Sequence, residues 1–268
     1  MRFFRTRRPR PFVDDDVTQE WRPPHPHAPH PPHEEEEGKP PRKRRLFKRV
    51  LWMAFKVLAA YWVLCVVLLV IYRFVWPPVT GVQLQRRIEA MASGREYTKK
   101  RTYVRMERMP AHVPRAVMAA EDGRFLEHWG FDLTEMRNAR RDALEGGRMR
   151  GASTITQQLM KNLFGCACRN PVLGGIRKLY DWTLTPVAEV ILGKDRILEL
   201  YLNSVEWGDG VWGVDAGARR HYGRSVRQLT RSQAAGLAAL LPNPRRRTPE
   251  NTGGYRRDIL RRMSRRGW

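Results

Sequence analysis

The sequence predicts a mostly α-helical, all-α domain carried behind one N-terminal transmembrane helix. Three observations lead there. An apolar run from Val50 to Trp76 is long enough to cross a bilayer, several later segments repeat apolar residues at helical spacing, and strict apolar–polar alternation is scarce.

The elements follow in chain order. Residues 1–49 are expected to be a disordered tail, because "PPHPHAPHPPHEEEEGKPPRKRR" carries too little apolar surface to offset the entropy of ordering it. Its histidines, His25, His27, His30 and His33, sit among prolines and present no fixed coordination geometry to a metal. Residues 50–76 read as the transmembrane helix, with Lys56 and Arg73 near its ends able to snorkel toward opposite interfaces. A cleaved signal peptide fits poorly, since the apolar segment starts about fifty residues in and is followed by no small-residue cleavage site. A buried core helix fits worse, because the segment is hydrophobic all round. Arg42, Lys43, Arg44, Arg45, Lys48 and Arg49 crowd its N-terminal side, so the positive-inside rule places the tail in the cytoplasm and everything after Trp76 outside. Residues 77–101 are a membrane-proximal linker or helix, and 102–268 the main domain.

Residues 77–268 hold 35 of the 50 basic and 19 of the 27 acidic residues, a net of +16. Such a field draws anions. Behind a membrane anchor these are lipid headgroups and phosphorylated lipids, and export argues against nucleic acid. Cys65 lies in the span; Cys166 and Cys168, one residue apart, would make a strained bridge at best, and their pairing stays open.

Within the main domain, "PRAVMAAEDGRF" has a first-turn proline and apolar Val117, Met118 and Ala120, with Glu121 near its end. "STITQQLMKNLF" follows a glycine, offers a hydroxyl N-cap and spaces Ile155, Leu159 and Leu163 four apart. "KDRILELYLNSV" repeats Ile197, Leu198, Tyr201 and Leu202, and "TRSQAAGLAALL" opens on Thr230 and stops at Pro242.

Three segments carry chemistry. In "EDGRFLEHWGFD", a Glu121 carboxylate at a helix C-terminus feels the negative end of the dipole, which favours its protonated form and suits a general base. An arginine pair or a cap explains it equally well from this segment alone. In "GASTITQQLMKN", Gln157 and Lys161 share a helical face and Ser153 sits at its start, beside a glycine that lets a ligand approach the backbone. That set fits a polyhydroxylated or phosphorylated ligand. In "IRKLYD", Asp181 falls four residues after Arg177, so cation and carboxylate meet near Lys178, an arrangement that is most often a surface ion pair.

Together, "EDGRFLEHWG", "GASTITQQLMKN", "RKLYD" and "KDRILELYLN", in that order, resemble the motifs of the peptidoglycan glycosyltransferases of glycosyltransferase family 51. "WGDGVWGVDAGARRHYG" and "LTRSQAAGLAALLPNP" also look like that family, and the resemblance covers roughly residues 102 to 265. It implies a helical fold with a lysozyme-like lobe and a membrane-proximal lobe. It also implies an activity: polymerisation of lipid II onto the growing glycan strand, forming β-1,4 links with inversion and releasing undecaprenyl pyrophosphate. By the same resemblance Glu121 is the base and Asp181 assists pyrophosphate departure, directly or as ligand to a divalent cation, magnesium or manganese; no other cofactor is implied. Lys161, Arg177 and Lys178 match residues that neutralise pyrophosphate, with Arg169 a further contact, and Ser153, Gln157 and Gln158 match the polar lining of the cleft. Implied partners are lipid II, the glycan strand and membrane lipids, with other cell-wall synthesis or division proteins beside them.

No serine here is followed by lysine three residues on, so the sequence looks like the monofunctional form without a penicillin-binding transpeptidase. Asp181 is one methylene shorter than the family glutamate, and a displacement on the order of 1 Å can cost about a hundredfold in rate. Gln233 stands where the family usually has glutamate and reads as a lost structural ion pair. Two other readings are weighed. A lytic enzyme would have no use for the cations expected around pyrophosphate. A catalytically silent scaffold that binds lipid II or division proteins draws its support from the shortened Asp181 alone.

Overall fold

The computed structural model describes residues 42–147, 151–165 and 171–268. The histidines of the tail, Cys166, Cys168 and Arg169 lie outside the described residues.

Helix α1 (Arg42–Tyr72) takes up most of the apolar run. Its 31 residues rise about 46 Å, against roughly 30 Å of hydrocarbon in a bilayer. Leu51, Phe55, Leu58 and Val63 are exposed, as side chains must be if their neighbours are lipid tails. A stripe toward the end differs: Cys65, Leu69 and Tyr72, spaced four and three apart, are buried. There the Tyr61 hydroxyl donates to the Phe164 carbonyl at 2.7 Å and the Trp62 indole N–H to Thr183 Oγ1 at 3.1 Å. The last turns of α1 thus pack on the domain that follows.

Past the membrane helix come α2 (Gly81–Ala92), capped by Thr80, and α3 (His112–Glu121), which carries the apolar residues the sequence pattern assigns to it and ends on Glu121. Helix α4 (Leu133–Leu144) starts where Asp132 Oδ1 accepts the Glu135 N–H at 2.9 Å. Helix α5 (Ile155–Phe164) opens with a capping box between Thr154 and Gln157; the cap is Thr154, with Ser153 one residue upstream. Ile155, Leu159 and Leu163 are buried on one face of α5, which packs along α6 (Pro171–Ser204).

Helix α6 combines two segments that the sequence pattern reads separately. It runs from Arg177 and Asp181 through to "ILELYLN", interrupted at Gly193, whose φ of 74° and ψ of 166° suit glycine almost alone. Its second half buries Ile197, Leu198, Tyr201 and Leu202. Three short strands follow no helical pattern: β1 (Lys100–Arg101), β2 (Glu206–Gly208) and β3 (Val211–Trp212). Strand β3 lies between β1, parallel to it, and β2, antiparallel. Two or three residues are too few for alternation to show in the sequence. Helices α7 (Val214–Tyr222), α8 (Arg231–Ala238) and α9 (Gly253–Arg265) complete the chain, with α3 packed on α8 and α9. Gln233 closes a capping box with Thr230 at the start of α8, a task its amide performs as a glutamate would.

Candidate active site

Glu121, at the end of α3, is held at the floor of a cleft by its neighbours on α5 and α6. Gln158 Nε2 donates to Glu121 Oε2 at 2.9 Å, and the buried Tyr201 hydroxyl donates to Gln158 Oε1 at 2.8 Å. Burial pushes the Glu121 carboxyl above its usual range, opposed by the Gln158 hydrogen bond and by the charges of Arg247 and Arg262. The carboxylate is therefore a better proton acceptor than an exposed glutamate, while one oxygen stays anchored.

The cleft extends to either side of Glu121. One side is a cavity of 310 Å³ lined by Glu121, Ser153, Gln158, Lys161, Arg177 and Asp181, with Gln157, Lys178 and Trp182 also on its wall. Eight of the nine site residues singled out from the sequence thus line one cavity, and the ninth, Arg169, lies outside the described residues. The Arg177–Asp181 pair forms at 2.5 Å, but it is no surface pair, because Asp181 is 3% exposed. Burial raises the Asp181 carboxyl to about 6 against the pull of Arg177 and Lys161. Burial also lowers the Lys161 ammonium, reinforced by Arg177 and opposed by Asp181. Lys178 lies over the Trp182 ring at 5.4 Å. Gln157 is mostly committed elsewhere: its Oε1 accepts the Thr154 N–H and its Nε2 donates to the Gly130 carbonyl.

The other side is a larger cavity of 830 Å³ that includes Glu121, Ser153, Arg124, Arg247, Tyr255, Arg262 and Arg266. Arg247 and Arg262 flank Tyr255, whose hydroxyl donates to the Ala120 carbonyl one residue before Glu121. Sequence reasoning missed these residues and Tyr201. Arg247 and Arg262 stand in arginine-rich stretches without a distinguishing pattern, and Tyr201 reads there as one more apolar position in α6.

Asp122, His128 and Asp132 place possible ligand atoms within 4.8 Å of one another. Their bonds are structural: His128 Nε2 meets Asp122 Oδ1 at 3.0 Å, Asp122 Oδ2 accepts the Ile155 N–H, and Asp132 caps α4. They fasten the loop after Glu121 to the start of α5.

For a divalent cation beside Asp181 the fit is partial but real. Among the described residues Asp181 Oδ1 has no hydrogen-bond partner, so it is the carboxylate oxygen that would ligate. Magnesium commonly takes one or two carboxylates and completes its shell with water and substrate phosphates, so a lone protein ligand suffices.

Comparison with known proteins agrees with this geometry. A family model described as Transglycosylase matches residues 86–264. The chain is similar to proteins named biosynthetic peptidoglycan transglycosylase. It is 43% identical to one from Pseudomonas fluorescens (strain Pf0-1) over 75% of this chain and 79% of that one. To one from Ectopseudomonas mendocina (strain ymp) it is 42% identical over 76% and 79%. With one from Marinomonas sp. (strain MWYL1) it shares 40% over 81% and 89%. With the motifs gathered around one cleft and most of the length matched, the chain belongs to the transglycosylase family and is a membrane-anchored peptidoglycan glycosyltransferase.

Proposed function

We propose that Glu121 and the cations across the cleft polymerise lipid II, with Glu121 as general base and the cavity of 310 Å³ as the pyrophosphate side. One observation carries this reading: a half-buried carboxylate of raised pKa, Glu121, shares a cavity with Lys161, Arg177, Lys178 and a second carboxylate, Asp181. Structural ion pairs need no such excess of cations in a cavity, whereas a departing pyrophosphate does.

In this mechanism Glu121 takes the proton from the 4-hydroxyl of an incoming lipid II as that oxygen attacks the anomeric carbon of the growing strand. The anomeric C–O bond breaks, and its electron pair leaves on the pyrophosphate oxygen. Gln158 keeps one Glu121 oxygen in place, which leaves Oε1 to accept the proton. Lys161, Arg177 and Lys178 balance the charge that develops on the leaving group without having to move. Inversion needs base and leaving group on opposite faces of the sugar, as in inverting glycosidases. Asp181 holds Arg177 in place, and Asp181 Oδ1 would hold a divalent cation; bound there, the ion would neutralise phosphate charge as a Lewis acid. The basic cluster before Val50 supports a cytoplasmic N-terminus and a periplasmic catalytic domain.

The test is lipid II polymerisation by detergent-solubilised full-length protein, with and without a divalent cation. Wild type should make polymer and Glu121→Gln none, with little from Asp181→Ala. A wild type that makes no polymer while Asp181→Glu does would mean that the aspartate has silenced the site and the protein works by binding.

A further inference from the structure

Away from the catalytic cleft, a cavity of 580 Å³ opens where the chain leaves α1, within the roughly 300–1,000 Å³ typical of small-ligand sites. Phe74, Val75, Trp76, Tyr103, Arg105, Glu107, Asp195 and Arg196 are on its wall, and none of them takes part in the proposed chemistry.

Its depth follows from the sequence. The apolar run begins at Val50, and about 20 residues cross the hydrocarbon layer, reaching the neighbourhood of residue 70. Trp76 comes within two turns of that point, in the headgroup layer where tryptophan and tyrosine collect. The wall is built rather than incidental. Trp76 and Tyr103 pack with centroids 4.3 Å apart, and the Arg101 guanidinium covers the Trp76 ring at 4.2 Å. Arg196 donates to the Tyr72 and Val75 carbonyls, both at 2.9 Å, which fixes the end of α1 to α6. Phe74 and Val75 are exposed beside it, an apolar flank for acyl chains.

Charge selects the occupant. Among the described residues no ion pair is formed by Arg105, Glu107 or Asp195, all three exposed at the cavity, while Arg196 is matched by Glu199. One unmatched cation beside two unmatched carboxylates suits a headgroup that carries both signs. We propose that this cavity binds a zwitterionic phospholipid of the ethanolamine class, its phosphate on Arg105 and its ammonium on Glu107 and Asp195. Carboxylates accept the N–H bonds that a primary ammonium offers and a choline lacks. A choline would instead favour an aromatic face, and Arg101 already occupies one on Trp76. A singly anionic headgroup would leave both carboxylates unmatched.

The test uses full-length protein in nanodiscs with equal parts phosphatidylethanolamine, phosphatidylcholine and phosphatidylglycerol, read by native mass spectrometry of the lipids retained. Recovery in the membrane fraction first checks that α1 spans the bilayer. Wild type should retain phosphatidylethanolamine about tenfold over either competitor. The double variant Glu107→Gln, Asp195→Asn should lose that preference, and Arg105→Gln should lose retention, while all keep lipid II polymerisation in detergent. Equal retention of the three lipids by wild type, or stronger retention of phosphatidylglycerol, overturns the proposal without touching the reading of the catalytic cleft. A preference unchanged in the double variant overturns it as well.

Discussion

Gln158 Nε2 lies 2.9 Å from Glu121 Oε2, and the Tyr201 hydroxyl, 1% exposed, donates to the other end of the amide at 2.8 Å. Turned over, the amide would set its oxygen against the carboxylate. Tyr201 is therefore a positioning residue that keeps a donor aimed at the base. Tyr201→Phe should lower kcat about tenfold, the loss of roughly one such hydrogen bond to a charged group. It should also move the acid limb of the rate profile to higher pH, because the ionised Glu121 loses part of its support. A fold-only role for Tyr201 would reduce the amount of active enzyme and leave the limb where it is.

Asp181 makes activity and stability pull in opposite directions. Its carboxyl is raised by burial from 3.8 to about 6. Between those values the folded state binds more protons than the unfolded one, so stability falls as pH rises, and the deficit persists above about 6. It amounts to something on the order of 3 kcal/mol. Asp181→Asn should thus raise the melting temperature at pH 7.5 and leave it nearly unchanged at pH 4, while polymerisation drops. Wild-type polymerisation should rise as pH climbs through about 6 and Asp181 ionises. A thermal-shift series at the two pH values checks the first expectation, and product formation across the range the second.

The pyrophosphate side predicts a division of labour among the cations. Lys161 is half-buried and Arg177 is locked to Asp181, whereas Lys178 is exposed over Trp182. Lys161→Met removes a desolvated charge, so it should cut kcat about a hundredfold or more, in the range seen when one fixed electrostatic donor is lost. Lys178→Met should act chiefly on KM, by less than about tenfold, because water screens an exposed charge. Steady-state kinetics with lipid II separates the two.

Helices and site were legible in the sequence to different degrees, for physical reasons. The α5 stripe of Ile155, Leu159 and Leu163 is buried as its spacing implies, since four-residue spacing leaves no other face to bury. The α1 span was equally plain from its length. Ser153, Gln157 and Lys161 could be picked out because they are polar groups clustered beside an apolar stripe, a composition packing does not require, whereas Gln158 and Asp181 drew their roles from the family resemblance, the Arg177–Asp181 spacing alone suggesting a surface ion pair. Tyr201 could not, because a tyrosine in an apolar stripe looks the same whether or not its hydroxyl has a partner. The continuity of α6 was hidden too, because its two apolar segments are separated in the sequence, and the φ of 74° at Gly193 is where the helical run is interrupted. Gln157 lines the cavity, but what its amide does there was not legible. Its amide looks available on the helix face, yet the capping box with Thr154 uses most of it.

Gly130 joins the loop after Glu121 to α5 and α6, which makes it a stringent test of how the site is held. Its φ is +81°, a region L side chains rarely adopt, and a Cβ there would lie 2.3 Å from Thr185 Cγ2 on α6. Its carbonyl accepts from Thr154 Oγ1 at 2.7 Å and from Gln157 Nε2 at 3.3 Å. Any shift that relieves the clash therefore pulls on the N-terminus of α5, where Ser153, Gln158 and Lys161 begin. Gly130→Ala should cost roughly 2–4 kcal/mol, the strain of the backbone added to the overlap with Thr185. If the overlap is the larger part, Thr185→Ser in the Gly130→Ala background removes the colliding methyl and should recover about half of the lost stability. It should restore polymerisation along with it. Melting temperatures of the two variants beside wild type decide the matter; no recovery in the double variant would assign the cost to φ alone.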